Sequence, residues 1–121
     1  MKIEKITKNK IDVAHVISDE TVIYDPQSAL DLMMTVNYET GVKNIMISKN
    51  LITEKFFVLS SGLAGEILQK FINYKFRIAI YGDYSKYTSK PLKDFIYESN
   101  KGKDIFFVSN EDESIEMLSK S

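Results

Sequence analysis

Cysteine is missing from this chain, and histidine occurs once, as His15. Without cysteine there can be no disulfide, no thiolate nucleophile and no Cys-ligated zinc. A single histidine rules out a multi-histidine metal site within one chain. It also leaves His15 as the only imidazole open to a Ser-His-Asp triad. There is no excess of either charge: 16 Lys and Arg stand against 17 Asp and Glu, a formal net charge of −1. A dedicated nucleic-acid binder would show a basic excess, so only a local basic patch is left room. No apolar run approaches the roughly 20 residues of a membrane span. The opening MKIEKITKNK lacks the apolar stretch of a signal peptide. The expectation is a cytoplasmic protein with no membrane partner.

What is present fits one folded unit. The chain has 121 residues, 44% hydrophobic and 27% charged, which suits a single domain over 1–121 with a real core. KIEKIT (2–7) and IDVAHVI (11–17) alternate apolar and polar residues, the period of a strand. The short KNK between them predicts a hairpin. TVIY (21–24) reads as a third short strand. A helix then begins at Asp25 and Pro26, a cap and a first-turn residue, and exits at Gly41. Its expected stripe is Leu30, Met33, Met34 and Asn37, widened by Leu32 and Val36. NIMIS (44–48), RIAIYG (77–82) and DIFFVS (104–109) are short apolar runs, as expected of strands covered on both faces. Between the first two, Leu63, Ile67, Phe71 and Tyr74 share a helical face with Ala64, Leu68 and Ile72 beside it. Leu92, Phe95, Ile96 and Ser99 mark another helix over about 89–100. Ser109, Asn110 and the acids that follow begin a last one carrying Ile115 and Leu118. Strands alternating with helices imply parallel crossovers. The expected fold is therefore a mixed α/β sheet of four or five strands with an antiparallel N-terminal hairpin. Residues 53–59 admit strand, helix or loop.

FFVLSSGLAGEIL (56–68) is the most pointed motif. A phosphate loop would need Gly-Lys-Ser/Thr opening the helix, whereas Gly62 and Gly65 lead into Glu66, whose carboxylate repels phosphate. Ser60 or Ser61 as a helix cap is the simpler account. GDYSKYTSK (82–90) leaves the carboxyl end of a strand, where ligands gather in open α/β sheets. Asp83, Tyr84 and Ser85 are the candidates there, although a turn at Gly82-Asp83 explains the same residues. Glu98 and Asn100 form a candidate polar partner patch, against a helix exit closed by Asn100 or Gly102. His15 shares an apolar strand face, which suits a hydrogen-bonded core residue better than a base.

SSGL at 60–63, between a strand and a helix, resembles the central motif of STAS domains, the anti-sigma-factor antagonists. That likeness implies a STAS-like topology, a regulatory protein partner and a phosphoacceptor serine at Ser60. Leu59 stands where that family carries Asp. Phosphate at a helix start is physically favoured, because about −1.5 to −2 charges meet free N–H groups and the positive end of the helix dipole. YETG, SSGLAGEILQKFINY, AIYGDYS, DFIYESNKG and IFFV together resemble a bacterial family known as domain of unknown function 4180, which implies no activity or catalytic residue. The expectation is a non-enzymatic regulatory or interaction module. Ser60 and Ser61 are its acceptor candidates, and Gly62, Asp83, Tyr84, Ser85, Glu98 and Asn100 its surface. A protein partner is expected, a homodimer is open, and no residue calls for a cofactor or metal. The alternative is a small-molecule-binding protein or enzyme with its site around Asp83.

Overall fold

The computed structural model describes residues 1–120. β1 (Lys2–Lys8) and β2 (Ile11–Ile17) form the expected antiparallel hairpin. Its two turn residues, Asn9 and Lys10, both have positive φ, 53° and 66°. That is the pattern of the two-residue turn whose twist matches paired strands. β3 (Asn44–Ser48), β4 (Arg77–Tyr81) and β5 (Ile105–Val108) follow in parallel. The sheet has five strands in the order β1-β2-β3-β4-β5.

Alternation along each strand sorts the side chains onto two faces. Ala14, Val16, Ile45, Ile47, Ile78, Ile80 and Phe107 lie on one face, in the larger core. Against it pack α1 (Pro26–Thr40), α2 (Leu63–Asn73) and α3 (Lys90–Lys101). Val13, Met46, Ala79 and Phe106 lie on the other face, with Leu118 of α4 (Glu111–Ser119). Helices are about 10 Å across and strands about 4.8 Å apart, so three helices cover five strands and one does not. The second face is therefore partly open.

The helix boundaries follow their caps. Asp25 accepts from the Ser28 N–H at 2.7 Å, and the Ser28 hydroxyl accepts from the Asp25 N–H at 3.0 Å, a reciprocal box that starts α1. Ser89 caps α3 and Asn110 caps α4, each through its side-chain oxygen. Three expectations need correction. TVIY is not a strand: only Ile23 bridges, to Ile52, because Asp25 starts the helix immediately. The buried stripe of α1 is Ala29, Leu32, Met33 and Val36, with Met34 and Asn37 exposed. Spacings of three and four hold on both sets, and the sheet selects the one centred on Leu32 and Val36. Ile72 and Tyr74 at the end of α2 are likewise exposed, although Phe71 between Leu68 and Ile72 is fully buried.

Candidate functional site

The parallel strands all end at one edge. β3 runs on through 3-10 turns at Lys49–Leu51, Glu54–Phe57 and Leu59–Ser61 before α2 begins. Residues 53–59 are thus short turns that bury Phe56 and Phe57. Lys49 is only 7% exposed. Its stem lies against Gly82, where an added Cβ would sit 2.6 Å from Lys49 Cγ. Its ammonium is 5.1 Å from the Tyr87 ring centre and 5.6 Å from that of Phe57, and 3.7 Å from Glu54 Oε1. Glu54 also accepts from Lys86 Nζ at 3.1 Å and the Tyr87 hydroxyl at 2.9 Å. Partial desolvation pulls the Glu54 carboxyl upward, but these hydrogen bonds and the two lysine charges outweigh it and hold the group below its usual range. Burial, then the Glu54 contact, pushes the Tyr87 hydroxyl up. Phe57 and Tyr87 stack with centroids 5.0 Å apart. Tyr84 closes this aromatic cluster, donating to the Ile80 carbonyl at 2.7 Å, and burial raises its pKa strongly.

Asp83 and Ser85 remain outside this cluster. Asp83 is exposed and accepts from the Ser85 N–H at 2.9 Å, a local turn. Hydrogen bonds from Ser85, with a smaller contribution from the Lys49 charge, hold its carboxyl low. Tyr84 faces inward, so Asp83, Tyr84 and Ser85 do not converge on one ligand. Glu98 pairs with Lys101 at 3.4 Å. The Asn100 amide is engaged at the rim of the sheet, donating to the Phe107 carbonyl at 3.0 Å and accepting from its N–H at 2.7 Å.

The start of α2 has a different character. Ser61 is tied in: its hydroxyl donates to the Lys55 carbonyl at 3.0 Å and accepts from the Leu63 N–H at 3.2 Å. Gly62 takes the helix-cap position with φ +77° and makes no side-chain bond to the first turn. Ser60 and Val58 are exposed. Together with Phe57, Leu59, Ser89 and Pro91 they line a groove of about 610 Å³ beside the start of α3.

A second group lies on the α4 side of the same edge. His15 is 6% exposed. Its Nε2 is 2.8 Å from the Tyr81 hydroxyl, and its Nδ1 is 3.8 Å from Glu111 Oε1. The tautomer with its proton toward Glu111 lets the phenol donate to Nε2. Burial, then the Glu111 charge, raises the Tyr81 pKa. Glu4, cross-strand from His15, completes a polar depression of about 430 Å³ with Ser48 and Asn50. The imidazole and phenol share one hydrogen bond, and Glu111, too far for a second, acts on the pair through its charge. Among the described residues no three His, Asp or Glu side chains converge on a metal position.

Sequence reasoning named His15, but not its partners Tyr81 and Glu111, which lie 66 and 96 positions away and share no local pattern with it. Lys49 and Glu54 were likewise unmarked, because a charged residue after an apolar run looks like any loop entrance. The strands run in chain order, without the reversal that opens a crevice in doubly wound sheets.

These features define a small α/β protein: one mixed sheet, three helices on one face and a single helix on the other. The chain belongs to the family described as a domain of unknown function (DUF4180), matched over residues 8–118. No curated protein and no solved structure matches it.

Proposed function

We propose that the protein is a non-enzymatic regulatory module that binds a protein partner through the start of α2. One observation carries this: Ser60 and Val58 stand exposed on an apolar groove at a helix entrance whose cap residue, Gly62, offers no side chain, with Ser61 meeting only the Leu63 N–H of the first turn. The SSGL motif adds weight through its likeness to the anti-sigma-factor antagonists, with the STAS-like character that implies. Phosphate on Ser60 would add about −1.5 to −2 charges beside the unpaired N–H groups of the first turn. It would change the surface offered to the partner and leave the buried core untouched. The test is affinity capture from the native host with wild type beside Ser60→Ala and Ser60→Glu. A partner retained by Ser60→Ala and lost with Ser60→Glu supports the switch. Equal capture by all three, or phosphosite mapping with an active host kinase that leaves Ser60 unmodified, removes it.

A small-molecule site or enzyme at the same strand edge is the second reading. It is favoured by the His15–Tyr81 hydrogen bond, with Glu111 beside it, in its depression, in place of the exposed Asp83. A ligand there would shift the His15 ring resonances, and ring resonances unchanged across a metabolite panel count against it.

A further inference from the structure

At the opposite edge of the sheet, below the end of α4, lies a separate cavity of about 560 Å³. It exists because nine residues of helix cover only a diagonal of this face. The volume falls within the roughly 300–1,000 Å³ of small-molecule sites. Its floor is apolar, made by Phe106, Ile11 and Met117. Its wall is cationic, with Arg77, Lys103 and Lys120 against one lining carboxylate, Asp104.

Arg77 is held in a fixed orientation. Nε donates to the Lys103 carbonyl at 2.7 Å, with Asp104 Oδ1 at 4.0 Å. Nη1 donates to the Leu118 carbonyl at 3.0 Å and reaches Asn44 Oδ1 at 3.5 Å. The guanidinium carbon lies 5.7 Å from the Phe106 ring centre. A guanidinium has five N–H donors, and these contacts use the Nε and Nη1 side. The Nη2 group has no acceptor among the described residues. Clamping α4 accounts for one side of the guanidinium and leaves the other directed elsewhere.

The charge balance selects the ligand. Two groups work against an anion. Glu116 lies 3.9 Å from Lys120, and the end of α4 carries a partial charge of about −0.5. Arg77 already caps that end through Leu118. Three cations against Asp104 and Glu116 leave a positive charge that the helix end reduces but does not cancel. An inorganic anion would leave the apolar floor unused, and a neutral apolar molecule would leave the fixed guanidinium unused. We propose that this cavity binds a small amphiphilic carboxylate, its apolar body on Phe106 and Met117 and its carboxylate on Arg77 Nη2, with Lys103 and Lys120 closing over it.

The probe is octanoate, titrated into the full chain and followed by the methyl resonances of Ile11 and Met117. Octanol and sulfate serve as the apolar and the charge controls. Saturable shifts at these two methyls with octanoate are expected, with both controls at least about tenfold weaker, the loss that one missing charge-assisted contact produces. Lys103→Glu combined with Lys120→Glu should weaken octanoate by a similar factor. Both lysines are exposed, so the unfolding temperature should stay near wild type. Arg77→Lys keeps the charge and loses the planar fork, and should also weaken binding. Because Arg77 holds α4 as well, the lysine pair is the decisive variant. Octanol binding as tightly as octanoate, undiminished binding in the lysine variant, or no saturable shift at Ile11 and Met117 into the millimolar range would each overturn the proposal.

Discussion

At position 82 a side chain has no room. Gly82 has φ +157°, and its missing Cβ is where the stem of Lys49 passes. Gly82→Ala must push that stem off the Phe57–Tyr87 stack, so we expect a loss of about 1–3 kcal/mol, the range for overpacking. Urea unfolding checks this, and the pair with Lys49→Ala makes the test specific. Removing the stem clears the space, so the double variant should be less destabilised than the sum of the singles. Additive losses would mean that backbone strain at Gly82, and not the lysine, is the cause. The same residues show where sequence reading stops. GDYS was legible as a turn after a strand, and Asp83 makes that turn. The reason for glycine lies 33 positions earlier, at Lys49, where no local pattern marks it.

At the scale of elements, the outer rim of β5 is closed by one amide. Asn100 gives the Phe107 N–H and C=O the pair of bonds that a further strand would supply, so the edge is blocked at that point against pairing with another chain. Asn100→Ala should cost about 1–3 kcal/mol, the penalty of leaving buried backbone groups unpaired. It should also give concentration-dependent self-association in sedimentation velocity. A stable, strictly monomeric variant would show that water replaces the amide. The elements themselves were largely readable, because Asp25 and Asn110 announce helices α1 and α4, helical spacing from Leu92 to Ser99 marks α3, and the Ile/Val runs announce strands. What misled was rotation: Met34 and Asn37 keep helical spacing with Leu30 and Met33, yet Met34 and Asn37 are exposed while Leu32, Met33 and Val36 are buried. Only contact with the sheet chooses between them. The 49–61 connection resisted reading because 3-10 turns bury Phe56 and Phe57 with a period close to neither helix nor strand.

For the whole molecule, pH offers a test that no single substitution does. Tyr81, Tyr84 and Tyr87 all have pKa values raised by burial. A phenol whose folded value lies above its unfolded value of about 10 supports the fold fully below that pH. As pH rises further, the unfolded chain ionises first and the support is lost. In alkaline titration these three should release their protons together with loss of the circular dichroism signal. Ionisation of Tyr81, Tyr84 and Tyr87 with the fold intact would contradict the burial.

The strand order β1-β2-β3-β4-β5 also bears on how the protein is made. Each strand pairs with the one synthesised just before it, so none must be inserted between two already in place. During translation the sheet can lengthen by one strand at a time, each crossover helix covering the strand it has just linked. Loop closure stays short at every step, which favours rapid folding. The exception is α4, made after all five strands, which must return across β2 and β3 to bury Val13 and Met46. Until it docks, the nascent chain carries one unshielded apolar face, and that is the interval in which a chaperone would find it.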